Sequence, residues 1–293
     1  AAFGVRTYEF ENGSIDFNGA QATILIAGVI AAVIGSISYH QMKDRPNVSL
    51  WSDISNALKG ELGGITGAPS KGTFIAFEGG EGTGKSTQSK LLKKWLEDRG
   101  EVVVLSREPG GTDLGKDLRK ILLGHETGEI SPRAEALLYA ADRAHHVFSV
   151  IRPALAEGKV VITDRYFDSS IAYQGAGRVL SPGEVARISR WATESLFPTL
   201  TIVIDLPAEV GIGRLTNRDR LEAEPLAFHE RVRQEFLQIA RLDPERYLVV
   251  DGRQSIDAIH DEIIKRVSTI PAISHEVKVP KLKKTIKKSA KKK

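Results

Sequence analysis

A glycine-rich segment at residues 79–86 has the residue types and spacing that bind phosphate. It reads GGEGTGKS and fits the pattern GxxxxGK[ST]. An apolar run, TFIAFE, precedes it and a helical pattern follows it, which is the context that the motif requires. Glycines permit a tight loop whose N–H groups point at phosphate oxygens, and a helix N-terminus adds partial positive charge. The spacing predicts that Lys85 contacts the β- and γ-phosphates and that the Ser86 hydroxyl binds Mg²⁺.

The loop predicts a bound nucleoside triphosphate but not the reaction, because GTPases, ATPases and kinases share the motif. The predicted triphosphate-binding residues are those of the loop and the first helical residues after it: Gly79, Gly80, Glu81, Gly82, Thr83, Gly84, Lys85, Ser86 and Thr87.

Three further motifs carry arginines and polar groups that suit phosphate and base recognition. They are REPGGT at 107–112, LLYAADR at 137–143 and DRYFDSSIAYQG at 164–175. The first and third begin at the ends of predicted strands, where an open α/β sheet places its ligands. Together with FEGGEGTGKSTQ, these motifs resemble the thymidylate kinase family from about residue 73 to 267. The resemblance implies an ATP:dTMP phosphotransferase that requires Mg²⁺ and forms a homodimer.

The resemblance assigns roles near the transferred phosphate. Arg107 would hold the acceptor phosphate, with Arg119 assisting; the alternative for Arg119 is a solvated charge on a helix face. Asp164 would act with Ser86 at the Mg²⁺ shell, and Arg165 would bridge acceptor and donor. Arginine suits these positions because its planar fork pairs bidentately with phosphate.

The resemblance also assigns the residues that face the acceptor nucleoside. Tyr139 would stack on thymine, where many members carry Phe; its alternative is a core aromatic. Arg143, four residues later on the same helical face, would hydrogen-bond the base. Tyr173 would stand against the 2′ position and exclude ribose. The predicted dTMP-binding set is completed by two residues facing the base and one acid at the 3′ side or the metal: Ser170, Gln174 and Glu81.

The phosphate-binding loop contains no arginine to neutralise the transferred phosphate. Some family members carry an arginine inside this loop, where this chain has Gly82, and the others carry arginines on a mobile lid. The segment 214–222, RLTNRDRLE, fits a short lid. Arg220 is the first candidate for a catalytic lid arginine and Arg218 the second; the alternative is a solvated basic loop.

The elements that must position these residues alternate between strands and helices. Near-continuous apolar runs predict strands at 73–78, 101–106, 159–164, 200–205 and 246–251. Helical periodicity falls at 85–99, 113–123, 132–157, 183–195, 226–241 and 255–267. Repeated βα units predict a P-loop NTPase three-layer α/β sandwich with about five parallel strands.

Outside this domain, residues 22–39 form an 18-residue uncharged stretch. Its length is at the lower edge for a transmembrane helix, and the alternative is a buried core helix. Lys43 and Arg45 predict that its C-terminal side is cytoplasmic. The predicted organisation is an extracytoplasmic tail and transmembrane helix (1–43), a linker (44–72), the kinase domain (73–268) and a disordered Lys-rich tail (269–293).

Residues 22–59 also resemble the last helix and linker of fusions between a major-facilitator transporter and a thymidylate kinase. The chain is thus expected to be a fragment or a relic of such a fusion, with its kinase domain cytoplasmic and tethered to the membrane.

The charge of the chain is unevenly distributed. Residues 278–293 hold nine lysines and no acid, so the net charge of +4 becomes −5 without them. The basicity therefore belongs to a tail, which either lies on anionic lipid or is solvated, and no nucleic-acid partner is predicted. With no cysteine in the chain, disulfides and thiolate metal sites are excluded.

Two alternatives to a dTMP kinase stay open at this point. One is a kinase for another deoxynucleoside monophosphate. The other is a membrane-anchored nucleotide-binding regulator without turnover, against which the intact Lys85, Ser86, Asp164 and Arg165 argue.

Overall fold

A computed structural model describes residues 6–10, 13–17 and 71–273 of the chain. The chain divides into two units between Ile65 and Thr66, and each is considered by itself. In the first unit, β1 (Arg6–Phe10) and β2 (Gly13–Phe17) pair antiparallel, with Arg6 opposite Phe17. The sequence predicts only a tail here, because two five-residue strands give too short an apolar pattern to recognise.

The second unit contains a five-stranded parallel sheet. Its strands are β3 (Thr73–Glu78), β4 (Val103–Arg107), β5 (Val160–Asp164), β6 (Leu200–Asp205) and β7 (Tyr247–Asp251). Their order is β4-β5-β3-β6-β7, so the strand that leads into the phosphate loop is central. All four neighbouring pairs are parallel. The predicted parallel α/β sheet with five strands is confirmed, and each strand begins within two residues of its predicted position.

Helices cover both faces of this sheet. They are α1 (Lys85–Glu97), α2 (Asp113–Leu123), α3 (Pro132–His146), α4 (Arg152–Ala156), α5 (Phe167–Ser170), α6 (Pro182–Ala192), α7 (Ala208–Gly213), α8 (Leu226–Leu242) and α9 (Ile256–Val267). Serine or threonine side chains cap three of them: Thr112, Ser131 and Ser255 each accept a hydrogen bond from the backbone N–H three residues on. The short helices α5 and α7 were not predicted.

Two π-helical segments adjoin the functional motifs. One, Val147–Ile151, joins α3 to α4 inside the predicted 132–157 helix. The other, Ile171–Gly177, continues α5. π-helical turns are rare and occur frequently at functional sites, because the extra residue per turn redirects side chains. The second segment is part of the DRYFDSSIAYQG motif.

Alternate side chains of the central strands pack on opposite layers. Ile75 and Phe77 of β3 face Leu92 and Leu96 of α1 together with α9. Phe74 and Ala76 face the opposite way, towards the α3–α4 region, which gives the third layer. Burying each leucine of this kind contributes about 1.5–3 kcal/mol relative to exposure.

The packed domain extends beyond the predicted boundary at residue 268. Ile270 and Ile273 are buried against the α1 and α9 side of the sheet. The prediction that the disordered tail begins at 269 is therefore wrong for 269–273, because these two isoleucines cover apolar surface that α9 leaves open.

The predicted transmembrane helix at 22–39 lies outside the described residues, as do most of the linker and the tail from 274. Among the residues that the structure describes, none of the helices has both the length and the apolar character needed to cross a bilayer.

Candidate active site

The phosphate-binding loop connects β3 to α1 at the centre of the sheet. Gly79, Gly82 and Gly84 have positive φ angles of 133°, 65° and 94°, a region that glycine enters without strain. No side chain caps the N-terminus of α1, so N–H groups of its first turn have no side-chain acceptor and can bind an anion. The Lys85 Nζ atom donates to the carbonyl oxygens of Gly79 and Gly80 at 3.2 and 2.7 Å. The loop therefore presents an ammonium group and helix N–H groups in one concave turn.

Ser86 and Asp164 meet across the ends of β3 and β5. The Ser86 hydroxyl donates to Asp164 Oδ2 at 2.5 Å, and both residues line a cleft with Arg107, Gly110 and Gly111. Mg²⁺ in phosphoryl-transfer sites takes one or two protein oxygens and completes its shell with phosphates and water. The hydroxyl and carboxylate oxygens fit such an ion. In the described residues no cluster of three or more acidic or histidine side chains could hold a metal without the substrate.

Arg165 has a strained backbone that Glu78 stabilises. Its φ angle is 71°, in the left-handed region that non-glycine residues enter at a cost. Glu78 is fully buried, and its Oε1 accepts the backbone N–H groups of Tyr166 and Ser169 at 2.9 and 3.1 Å. Its Oε2 accepts the Ser169 hydroxyl. These bonds fix the turn that follows β5, and so fix the direction of Arg165.

The Arg165 guanidinium joins the phosphate loop to the DRYFDSSIAYQG motif. Nη1 donates to the Gly79 carbonyl oxygen at 3.0 Å, and Nη2 donates to Glu81 Oε1 at 2.6 Å and to the Tyr173 hydroxyl at 3.0 Å. The Tyr173 hydroxyl also donates to Glu81 at 2.8 Å. Burial opposes ionisation of Glu81, but the charges of Arg165 and Lys85 outweigh it and lower the pKa of Glu81 to about 2. Glu81 is thus a carboxylate at any physiological pH.

A cavity beside this group brings together most of the predicted acceptor-binding residues. Those that line it are Glu81, Arg119, Tyr139, Arg143, Ser170, Tyr173 and Gln174. Arg165 lines it too, at the side of the phosphate loop. Arg107 does not; it lies in the neighbouring cleft with Ser86 and Asp164. Burial and the positive charge of Arg107 both lower the pKa of Arg119.

Most N–H groups of Arg143, which the sequence predicts to hydrogen-bond the base, are already bound within the protein. It is 1% exposed. Its Nε donates to Glu108, its Nη1 to Ser170 and Ser189, and its Nη2 to the Tyr166 carbonyl oxygen. A guanidinium has five N–H groups, so about one remains for a base. Arg143 therefore acts mainly as the centre of a buried network that borders the cavity.

The arginines of the predicted lid have different hydrogen-bond partners. Arg214 Nη1 donates to the Gly82 carbonyl oxygen of the phosphate loop at 3.0 Å. Arg218 donates to the Ile212 carbonyl oxygen at 3.3 Å. Arg220 Nη2 donates to the buried Glu135 at 2.5 Å and its Nε to the Leu122 carbonyl oxygen at 2.9 Å. Arg220, the first candidate for a catalytic lid arginine, is thus paired with the Glu135 carboxylate, whereas Arg214 contacts the phosphate loop.

Similarity to known proteins identifies the family. A family model described as thymidylate kinase matches residues 77–263. The chain belongs to the thymidylate kinase family. The thymidylate kinase of Clavibacter sepedonicus is 56% identical over 205 residues, which is 69% of this chain and 97% of that protein. The thymidylate kinase of Leifsonia xyli subsp. xyli is 57% identical over 66% of this chain and 92% of its own length.

A solved structure gives the same result for the fold. The crystal structure of thymidylate kinase from Ehrlichia chaffeensis has a TM-score of 0.56 and 33% identity, and the match covers 67% of this chain and 98% of that one. The family resemblance inferred from the motifs is thus confirmed, as is the prediction of a kinase.

Several residues of the site were not singled out from the sequence. Glu108 pairs with Arg143 at 2.7 Å and with His146 at 2.9 Å. Asp219, Leu221 and Glu222 line the acceptor cavity. Glu135 is fully buried and binds three side chains. An acid in an amphipathic helix usually faces solvent, so spacing gave no signal for Glu135; for Glu108, the signal was its place inside REPGGT.

Proposed function

We propose that the chain transfers the γ-phosphate of ATP to dTMP and forms dTDP and ADP. The observation that carries this proposal is one cavity lined by Tyr139 and Gln174 together with Glu81, Arg165 and Tyr173, the last three of which are hydrogen-bonded to one another. We expect thymine to stack on Tyr139 in this cavity, with the acceptor phosphate directed towards the phosphate loop. A donor triphosphate on the loop and an acceptor in the cavity would meet at Arg165.

The phosphate-binding loop binds ATP, which is the phosphate donor. Its N–H groups, the N-terminus of α1 and Lys85 neutralise the triphosphate, and Lys85 exchanges its two carbonyl partners for phosphate oxygens. Ser86 and Asp164 would hold Mg²⁺, which supplies charge neutralisation for the transferred phosphate when bound. An acceptor phosphate oxygen attacks the γ-phosphorus, the bond to the β–γ bridging oxygen breaks, and ADP leaves.

The protein acts on dTMP, the phosphate acceptor, by holding it in position and not by transferring a proton. Arg107 and Arg119 bind the dTMP phosphate from two sides, Tyr139 stacks on thymine, and Ser170, Gln174 and the remaining N–H of Arg143 contact its polar edge. Tyr173 cannot swing away from the 2′ position, since Glu81 and Arg165 both hold its hydroxyl. Its fixed ring supports discrimination against ribose.

The charge at the transferred phosphate comes from Arg165 and from the lid. Arg214 already contacts the loop, and Arg218 follows it in the same segment. Arg220 would have to leave Glu135 to reach the phosphate. This arrangement supports Arg214 as a further member of the predicted lid set.

One assay separates dTMP kinase from both alternatives. ADP formation is measured with ATP and Mg²⁺ and with dTMP, dUMP, AMP, GMP or CMP offered separately. Turnover with dTMP well above the others supports the proposal. Preference for dUMP supports another deoxynucleotide kinase, and ATP binding without turnover on any acceptor supports the regulator.

We also propose that the chain forms a homodimer. Exposed apolar side chains on α2, α3 and the adjoining π-helical segment support this: Leu114, Ile121, Leu137 and Phe148. Sedimentation equilibrium of the wild type and of Phe148→Glu tests the proposal, with a dimer expected for the first and monomers for the second. A Phe148→Glu variant that sediments like the wild type would remove this face from consideration.

The membrane tether at 22–39, the cytoplasmic location of the kinase domain and the relation to a transporter fusion stay predictions from the sequence. Lys43 and Arg45, which follow the span, and the cytoplasmic location of ATP support them.

A further inference from the structure

Glu135 lies in the first turn of α3 with its side chain fully buried. Its carboxylate accepts hydrogen bonds from Gln174 Nε2 at 3.0 Å, from Arg178 Nε and Nη2 at 3.2 Å each, and from Arg220 Nη2 at 2.5 Å. Burial alone raises the pKa of Glu135, but the bonds from Arg178, Gln174 and Arg220 outweigh it and leave that pKa below its ordinary value. Glu135 is therefore a buried anion with three partners.

The partners of Glu135 belong to parts of the chain that the active site requires. Gln174 lines the acceptor cavity and lies on the π-helical segment Ile171–Gly177. Arg220 lies in the lid. One carboxylate thus connects a base-facing side chain to the lid without touching the cavity itself.

Arg220 fixes the path of the lid over the cavity. Besides its bond to Glu135, its backbone N–H donates to the Leu123 carbonyl oxygen at 3.1 Å. Asp219 accepts the backbone N–H groups of Leu221 and Glu222 at 2.9 and 3.0 Å. Asp219, Leu221 and Glu222 all line the acceptor cavity. The residues on either side of Arg220 therefore form part of the cavity wall, and the Arg220 side chain is their anchor.

We infer that Glu135 is a positioning residue for the acceptor nucleotide, and that Arg220 acts through Glu135 rather than at the transferred phosphate. The inference rests on the proposed function. Glu135 fixes the orientation of the Gln174 amide, and through Arg220 it fixes the position of the cavity wall at 219–222. Base binding and lid position are therefore coupled.

Charge and geometry both contribute to this coupling. Glutamine at position 135 would keep the shape but replace an acceptor oxygen by an NH₂ group facing other donors. A buried donor–donor contact of this kind breaks at least one of the bonds. Arg178 would keep Glu224, which it binds through Nη1 at 2.5 Å. Within residues 71–273, Glu135 is the only carboxylate that the side chains of Gln174 and Arg220 bind.

The test compares Glu135→Gln with Glu224→Gln, which also contacts Arg178 but neither Gln174 nor Arg220. Steady-state constants are measured for ATP and for dTMP. For Glu135→Gln we expect the KM for dTMP to rise at least about tenfold, kcat to fall at least about threefold, and the KM for ATP to stay within about threefold. For Glu224→Gln we expect all three constants to stay within about threefold of wild type.

The inference is overturned if the two variants have the same KM for dTMP within about threefold, or if Glu135→Gln loses only thermal stability. It is also overturned if releasing Arg220 raises kcat, since Arg220 would then act directly on the phosphate. Should Glu135→Gln not fold, Glu135→Asp keeps the charge but is one methylene shorter, and the same shift in the KM for dTMP is expected. Absence of dTMP turnover by the wild type would instead refute the proposed function.

Discussion

Gly82 of the phosphate loop and Gly211 of α7 are in backbone contact, so neither position has room for a side chain. A Cβ atom on Gly82 would lie 2.1 Å from the Gly211 carbonyl oxygen, and one on Gly211 would lie 2.2 Å from the Glu81 carbonyl oxygen. The φ angle of Gly82 is also positive, at 65°. This contact explains why the loop carries no arginine at position 82, and it holds the start of the lid against the loop.

We expect Gly211→Ala to damage ATP use selectively. The added methyl group must push α7 away from the loop, and overpacking of this kind costs about 1–3 kcal/mol. The KM for ATP should rise at least about tenfold while the KM for dTMP changes less than about threefold. Gly213→Ala is the control, because a Cβ there meets nothing within 4 Å; equal ATP constants for the two variants would contradict the prediction.

Arg214→Ala should lower kcat/KM for ATP at least about tenfold, which corresponds to ~1.4 kcal/mol. Its guanidinium is the lid group that donates to the Gly82 carbonyl oxygen, and a triphosphate on the loop would lie within its reach. Arg220→Ala should instead raise the KM for dTMP, because Arg220 is bound to Glu135. Initial rates with each substrate varied in turn check both, and the same pattern for the two variants would contradict this division.

Glu78→Ala should lower both stability and turnover. Two buried N–H groups, of Tyr166 and Ser169, would lose their acceptor, at about 1–3 kcal/mol each. The turn at Arg165 would relax with them, so kcat should fall at least about tenfold. Burial and the charge of Asp168 raise the pKa of Glu78 well above its ordinary value, so an uncharged amide suits the site. Glu78→Gln should therefore stay close to wild type in urea unfolding and in kcat; a loss as large as that of Glu78→Ala would refute this account.

Asp142 should make the stability of the fold depend on pH. Burial and the charge of Glu108 raise the pKa of Asp142 to about 6, although Arg143, His146 and the Gly110 N–H favour the carboxylate. Since the unfolded chain has the ordinary, lower value, the folded state binds more protons between about pH 4 and 6, and stability from this group falls as the pH rises through that window.

We therefore expect the free energy of unfolding of Asp142→Asn, taken relative to that of wild type, to be higher at about pH 7.5 than at about pH 4. The expected difference is about 1–3 kcal/mol in urea unfolding. Asp113→Asn provides a control of opposite sign, because the bond from Lys116 lowers the pKa of the exposed Asp113. A pH-independent difference for Asp142→Asn would contradict the prediction.

The sheet could be predicted from the sequence because its strands are buried on both faces. TFIAFE and LTIVID are near-continuous apolar runs, and their predicted bounds coincide with β3 and β6. The region 167–177 could not be predicted, because FDSSIAYQGAG mixes serine, glycine and aromatic residues without a clear period. The backbone of α5 also depends on Glu78, which lies on β3.

The residues of the site also divide into those that the sequence could predict and those that it could not. Residues inside contiguous motifs, such as Tyr139 and Gln174, were located from the motifs and line one cavity. Residues that act through partners distant in sequence were not. Glu135 is 85 residues from Arg220, and an isolated acid in a helix carries no sign of that partner. Composition alone could not distinguish Arg214, which contacts the phosphate loop, from Arg220, which is bound to Glu135, since both lie in one basic segment.

The most direct test follows the phosphate itself. ATP labelled at the γ-phosphate is incubated with the chain, Mg²⁺ and dTMP, and the products are separated. The account predicts that the label appears in dTDP, and that Lys85→Ala abolishes this transfer while leaving the fold intact by circular dichroism. Label that remains in ATP or appears only as inorganic phosphate, from a folded wild type that binds both nucleotides, would contradict it.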